Sequence, residues 1–319
     1  MSDDKRHSPL PGDPRVTNRR PRDLAASVRQ RLMNLARDGR EDFQLVLTRY
    51  GLERILYRLA QSSFAGQFVL KGAVLFHLWT GQSHRPTRDL DLLGRGTPSP
   101  DRLRDVFHDV CSATVADDGL LFLADDIQAT GIKDNDEYQG IRVRIDSRLG
   151  NIRIPLQIDI GFGDVITPGP LTATYPTLLD FPAPLVQVYP RETVVAEKFH
   201  AMVVLGIANS RMKDFYDLWT LARQFEFDGT TLCAAIRATF ERRRTPLPTI
   251  APTALTLEFG TDRHKSIQWM AFIKKGRLVN QPPPLGDVVV LLEAFLMPPT
   301  LEAEPNASWN RHWQPTAWT

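Results

Sequence analysis

The chain is poor in cysteine and has no stretch apolar enough to cross a bilayer, and both shortages narrow its class. Its two cysteines, Cys111 and Cys233, lie far apart with no C-x-x-C pair. That argues against a disulfide framework and against a zinc site, and it fits a reducing, cytoplasmic setting. No run approaches the roughly 18 apolar residues that a membrane helix needs, and the polar, proline-containing amino terminus is unlike a signal peptide. No G-x-x-x-x-G-K-[ST] phosphate loop occurs. His77, His84 and His200 lack metal-ligand spacing, no Ser/His/Asp or Cys/His arrangement is visible, and there is no internal repeat. Charge of one sign is also missing: the net charge is +2, so bulk electrostatics do not announce a nucleic-acid binder.

What is present is an ordinary globular composition, with 42% hydrophobic and 24% charged residues over 319 positions, enough for one large domain or two ordinary ones. The basic residues are uneven. Lys5, Arg6, Arg15, Arg19, Arg20 and Arg22 fall in a polar stretch that reads as a flexible basic arm over residues 1–22. Helical periodicity then covers 23–35 and 42–61. A short strand from Phe68, a small-residue turn at Gly72-Ala73 and a helix ended near Gly81 follow. Asp89–Leu93 reads as a strand, and a helix capped by Ser99 or Asp101 runs to about Ala113.

Ile141, Val143 and Ile145, then Ile152, Ile154, Leu156, Ile158 and Ile160, alternate with polar residues around Arg148-Leu149-Gly150-Asn151. This predicts a β-hairpin with Arg142, Arg144 and Asp159 on its polar face. Residues 164–190 are proline-rich and read as loop. Helical spacing resumes at 191–206, 212–226, 230–244, 262–276 and 285–297. The organisation expected is a 1–22 arm, a 23–190 core, a helical 191–297 domain and a 298–319 tail holding Trp309, Trp313 and Trp318.

The chemistry centres on Arg85-Pro86-Thr87-Arg88-Asp89-Leu90-Asp91-Leu92. In a strand, residues i and i+2 share a face about 7 Å apart, so Asp89 and Asp91 project together while Leu90 and Leu92 enter the core. Two such carboxylates, with Asp159 from a second strand, form a set of hard oxygen ligands suited to Mg²⁺ beside a phosphorylated substrate. Solvent-face acids on half-buried strands would show the same alternation, but the upstream turn and the third acid favour a site.

Lys71-Gly72-Ala73 could bring backbone N–H groups close to an anion, although tight packing accounts for small residues equally well. Arg85, Thr87 and Arg88 stand just before the acids, where they could meet a triphosphate, or in the case of Arg88 simply balance charge. Lys198 borders the apolar stripe of its helix and Asp214 also turns inward. Unpaired buried charge is costly, so they form either a structural ion pair or a pair that serves the triphosphate and the nucleotide or acceptor.

Taken in order, Phe68-Val69-Leu70-Lys71-Gly72-Ala73, the Arg85–Leu92 motif, Gln157-Ile158-Asp159-Ile160-Gly161-Phe162-Gly163-Asp164, Glu197-Lys198 and Lys213-Asp214-Phe215-Tyr216-Asp217-Leu218 resemble the AbiEii/AbiGii family of nucleotidyltransferase-like toxins. That family lies within the DNA polymerase β-type nucleotidyltransferase superfamily. The resemblance runs from about Ala25 to Leu221. The superfamily's turn is usually Gly-Gly or Gly-Ser, and Gly72-Ala73 lacks the serine hydroxyl.

The resemblance implies an α/β (α+β) fold, a mixed-sheet nucleotidyltransferase core flanked by helices, with a helical C-terminal region. It implies Mg²⁺- or Mn²⁺-dependent transfer from NTP to an RNA acceptor, for some relatives the tRNA 3′ end, which blocks translation. It also implies a separately encoded antitoxin and no membrane. On this transfer Asp89, Asp91 and Asp159 hold metal, and Asp159 helps activate the attacking hydroxyl. Lys198 holds the triphosphate, Lys71, Gly72, Ala73, Thr87 and Arg88 contact the nucleotide, and Asp214 or Asp217 completes the site. The alternatives are transfer onto a protein or small molecule and a catalytically silent binding module. A haloacid-dehalogenase-like phosphatase fits poorly, because Leu93 stands where that fold wants Thr.

Overall fold

A computed structural model describes residues 23–82, 84–134, 138–276, 278, 280–303 and 309–319; the basic arm expected at 1–22 lies outside them. Helices α1 (Leu24–Asp38) and α2 (Phe43–Gln61) begin at Asp23 and Asp42, whose carboxylates accept the N–H groups of Ala26 and Leu45. Strand β1 (Phe68–Lys71) turns at Gly72-Ala73 into the short α3 (Val74–Thr80), which Gly81 ends in the left-handed conformation. Then come β2 (Asp89–Gly94) and α4 (Pro100–Ser112), for which Ser99 rather than Asp101 is the cap. Strands β3 (Leu120–Phe122), β4 (Gln128–Asp134), β5 (Tyr138–Leu149) and β6 (Ile152–Phe162) follow, β5 and β6 being the expected hairpin.

The proline-rich stretch expected as loop carries two more strands, β7 (Leu171–Thr174) and β8 (Leu185–Val188). Each spans four residues, too few for a period to declare itself among prolines. Their place is set by tertiary pairing: β8 lies parallel to β1, and Tyr189 N–H donates to the Leu70 carbonyl at 3.0 Å. The remainder is α5 (Arg191–Leu205), α6 (Met212–Gln224), β9 (Phe227–Asp228), α7 (Gly229–Arg242), α8 (Leu257–Thr261), α9 (Arg263–Gly276), α10 (Leu285–Leu301), β10 (His312–Gln314) and β11 (Ala317–Trp318).

The main sheet is mixed and runs β7-β8-β1-β2-β6-β5, with β3 and β4 pairing successive parts of the long β5. Chain direction is parallel at β1/β8 and β2/β6 and antiparallel at the other pairings. One face is a continuous apolar layer: Leu90 and Leu92 lie beside Ile158 and Ile160, which lie beside Val143 and Ile141. Helix α2 seats on it closely because Gly51 has no Cβ, an atom that would fall 2.8 Å from Leu156 Cδ2. The opposite face carries the polar alternates.

Helix α10 continues past Pro298-Pro299, beyond the end that the sequence pattern predicts at 297. Proline offers no N–H, so Pro299 leaves the Phe295 carbonyl without its helical donor; the Trp318 indole N–H supplies one at 3.2 Å. Trp313 is fully buried and donates to the Ala222 carbonyl at 2.7 Å, and its strand β10 pairs with both β9 and β11.

A buried ionic group ties α2 to the loop before β3. Arg58 holds both oxygens of Asp118, at 2.6 and 3.1 Å, and Arg54 Nε lies 3.4 Å from the same carboxylate. All three side chains are nearly inaccessible. Replacing Asp118 by Ala would leave the buried Arg58 guanidinium without its carboxylate, while Arg54 keeps Glu53, and the expected cost is about 3–5 kcal/mol. Urea denaturation of Asp118→Ala beside wild type measures it, and a loss below about 1 kcal/mol, the value of an exposed pair, would contradict this account.

Candidate active site

Four charged residues stand side by side across the polar face of the sheet. Lys71 on β1 is opposite Asp91 on β2, Asp91 is level with Asp159 on β6, and Asp159 is opposite Arg142 on β5. Directly paired residues share a face with Cβ atoms about 4.5–5.5 Å apart. The registers therefore produce a row of one cation, two carboxylates and one cation. Asp89 stands two residues along β2, level with Gln157, where β1 has already turned away.

The turn leaves β1 at Gly72 because Asp91 allows nothing larger there. Gly72 has φ +80°, a region that side chains rarely adopt, and a Cβ on it would lie 2.8 Å from both Cβ and Cγ of Asp91. Asp89, Asp91 and Asp159 each offer a carboxylate oxygen, and those three oxygens lie within 4.8 Å of one another. Thr87 donates its hydroxyl to Asp89 Oδ1 at 2.7 Å. Arg142 clasps Asp159 with Nε at 2.8 Å and Nη2 at 2.7 Å, which fixes the carboxylate while leaving lone pairs for another ligand.

Burial, followed by the neighbouring Asp89 charge, pushes the Asp91 carboxyl up to about 6 against the opposing pull of Lys71 and Lys213. A clustered, all-oxygen set of this kind is the donor chemistry of Mg²⁺ or Mn²⁺, and a cation there would offset the repulsion that the cluster now carries.

Lys71 itself is drawn sideways. Its Nζ lies 3.1 Å from Asp164 and 3.5 Å from Glu197, and Arg243 reaches the other oxygen of Asp164 at 2.9 Å. Burial works against the Lys71 charge, but Glu197 and Asp164 outweigh it and keep the ammonium protonated. Ala73 is buried and Arg88 is exposed with its side chain in solvent. Of the residues expected to meet a nucleotide, Lys71, Gly72 and Thr87 therefore touch or adjoin the acids.

The second constellation is a closed ionic cluster between α5, α6 and the segment leading into β2. Lys198 Nζ sits 2.6 Å from Asp214 and 2.9 Å from Asp217. Arg85 grips Asp217 with two bonds, at 2.9 and 3.0 Å, and His84 Nε2 lies 2.9 Å from the same carboxylate. Arg211 Nε is 2.7 Å from Asp214. Both carboxylates are completely buried. Burial opposes ionisation of Asp217, yet Arg85 and Lys198 hold it well below the usual carboxylate range.

The structural ion pair expected for Lys198 and Asp214 is thus present, and Asp217 belongs to it equally. Lys198 keeps one of its three N–H donors for another partner. Sequence reasoning placed Arg85 only near the acids and gave Asp164, Glu197 and Arg243 no role. Their side chains meet through tertiary packing between distant segments, which leaves no local spacing to detect.

The sequence model of the family described as nucleotidyl transferase AbiEii toxin, type IV toxin–antitoxin system, matches residues 54–290. Two solved structures from Helicobacter pylori are similar at 17% identity. JHP933 covers 82% of this chain and 92% of its own with a TM-score of 0.46. A protein provisionally named a nucleotidyltransferase covers 82% and 95% with a TM-score of 0.42. No curated protein matches the chain.

Two outcomes follow from the geometry. Gly72→Ala should cost ~1–3 kcal/mol of stability for a side chain at positive φ and, by displacing the Asp91 carboxylate, weaken Mn²⁺ binding; a Mn²⁺ titration followed by electron paramagnetic resonance reads it, and unchanged affinity would show that Asp91 is not a ligand. Lys198→Ala should lower stability by about 3–5 kcal/mol because it uncovers two buried carboxylates. Chemical denaturation measures this, and a fully stable variant would show that Arg85 and Arg211 suffice to hold them.

Proposed function

The chain belongs to the AbiEii family of nucleotidyltransferase toxins of toxin–antitoxin systems, and on that premise we propose that it transfers a nucleotidyl group from a nucleoside triphosphate to the 3′ end of an RNA. The acceptor in this reading is tRNA, and its modification blocks translation. The observation that carries the reading is the convergence of Asp89, Asp91 and Asp159 on the polar face of the sheet, beside the Gly72 turn. Acids that merely balanced surface charge would not need a backbone stripped of its Cβ to fit against them.

The chemistry divides among this chain's residues as follows. The terminal hydroxyl oxygen of the RNA forms a bond to the α-phosphorus while the bond to the β-phosphate oxygen breaks and pyrophosphate leaves. Asp159, oriented by the two bonds from Arg142, accepts the hydroxyl proton. Asp89 and Asp91 hold Mg²⁺ or Mn²⁺ together with Asp159, and such an ion neutralises charge on the triphosphate and the leaving group. Thr87 keeps Asp89 in its rotamer.

Lys198 offers its remaining N–H to the triphosphate, from a position fixed by Asp214 and Asp217. Lys71, Gly72 and Thr87, which touch or adjoin the acids, line the approach of the nucleotide. A separately encoded antitoxin and a cytoplasmic site of action complete the proposal. Among the described residues no helix is long and apolar enough to cross a membrane.

The test is incorporation of each labelled nucleoside triphosphate into purified tRNA with Mg²⁺. Wild type should label RNA with one or a few nucleotides. Asp89→Ala and Asp91→Ala should lose about a thousandfold or more, the scale on which removing a charge-stabilising group acts, while keeping a wild-type melting curve. Undiminished labelling by the folded variants would remove the metal-site assignment. Label that appears only on protein would replace RNA as the acceptor.

A further inference from the structure

A cleft of about 630 Å³ opens between the start of α6 and the face of α9, next to the acids. One wall is Arg85, Arg211 and Lys213; the other is Gln268, Phe272 and Lys275 on α9. Four of these six residues are cations, and no carboxylate lines the space. Arg85 and Arg211 are committed to Asp217 and Asp214, whereas among the described residues Lys213 and Lys275 have no ion-pair partner. Arg85 and Pro86 line the cleft and run directly into Thr87 and Asp89, so the cleft begins beside the acids.

Helix α9 itself contains no Asp or Glu. Its position is fixed by Lys265, buried and donating to the Asn209 carbonyl at 2.9 Å, and by the Trp269 indole, donating to the Pro283 carbonyl at 3.0 Å. Gln268 and Lys275 are seven residues apart, hence on one face and about 10.5 Å apart along the axis.

We propose that this cleft forms the track for the phosphate backbone of the RNA acceptor, delivering its 3′ end to Asp89, Asp91 and Asp159. The inference rests on the RNA-acceptor reading given above. A nucleoside triphosphate carries the same phosphate chemistry, but its charge is concentrated at the acids. Lys213 and Lys275, on opposite walls of the cleft and without an ion-pair partner among the described residues, match a chain with one charge per nucleotide. Phe272, part-buried and stacked on Trp269 at 5.7 Å between centroids, adds a ring surface of the kind on which unpaired bases rest. The polar sheet face is the competing surface; there Arg142 is held by Asp159 and Arg153 by Asp146, and Arg144 and Arg148 are exposed among those acids, whereas no carboxylate lines the cleft.

The experiment measures binding of a fluorescein-labelled tRNA transcript and of a 12-nucleotide single-stranded RNA to the full chain across a salt series. Binding of each unlabelled NTP with Mg²⁺ is measured in parallel. Lys275→Glu is expected to weaken RNA binding roughly tenfold and to make the salt slope shallower by about 0.7, the value of one phosphate contact to a single strand. Lys275→Gln should fall between it and wild type, NTP affinity should not change, and Arg144→Glu should bind RNA normally. Because Lys275 is exposed, its variants should melt as wild type does.

Loss of NTP binding with RNA binding intact would make the cleft a nucleotide site and overturn the proposal. So would a larger effect from Arg144→Glu, or RNA binding indifferent to Lys275. A wild-type chain that binds NTP but no RNA would instead remove the RNA-acceptor reading itself.

Discussion

The structure depends on keeping two carboxylates next to each other on adjacent strands. Asp91 and Asp159 are level in the β2/β6 register, and like charges so placed repel. The fold answers with a cation on each side, Lys71 on β1 and Arg142 on β5, so the row is neutral overall and closed at both ends. The two cations are not equivalent. Arg142 binds its neighbour Asp159 directly, whereas Lys71 bends away from Asp91 toward Asp164 and Glu197. Asp91 is left less compensated, and its raised carboxyl is the electrostatic record of that asymmetry.

A second charge cluster couples the sheet to the helices. Arg85 lies four residues before Asp89, and the two hydrogen bonds it donates to Asp217 fix the approach to β2 against α6. Lys198 draws Asp214 and Asp217 together from α5. Because both carboxylates are fully buried, loosening one of their cations leaves them in an environment that cannot solvate them. The acids on the sheet and the cationic wall of the cleft therefore keep a fixed relation to each other.

Much of this arrangement was legible in the sequence, for identifiable reasons. Period-two alternation announced β2 and the β5/β6 hairpin. Once the apolar faces were aligned, Arg142 had to share a face with Asp159, and the registers agree. Helical periodicity located Lys198 and Asp214 at an inward edge, where both are found. Strands β7 and β8 were not legible, because four-residue segments among prolines carry no period and owe their conformation to β1. The partners of Lys71 were hidden for a related reason: Asp164 and Glu197 reach it from a loop and a helix far along the chain. Sequence offered a choice between Asp214 and Asp217, and the structure brings both to the same ammonium group.

The pairing of β9 with β10 joins the beginning of the helical region to residues near 312. Trp313, fully enclosed, hydrogen-bonds Ala222, and Trp318 completes the carbonyl that Pro299 leaves open in α10. Synthesis runs from the amino end, and the sheet with its acids can form from segments made early. The helical layer that bears on those acids lacks its last buried ring until residues 309–319 have been made. Time therefore enters the architecture: the helical layer cannot be complete until this last segment has been made, and contacts this far apart in sequence are the slow ones to form.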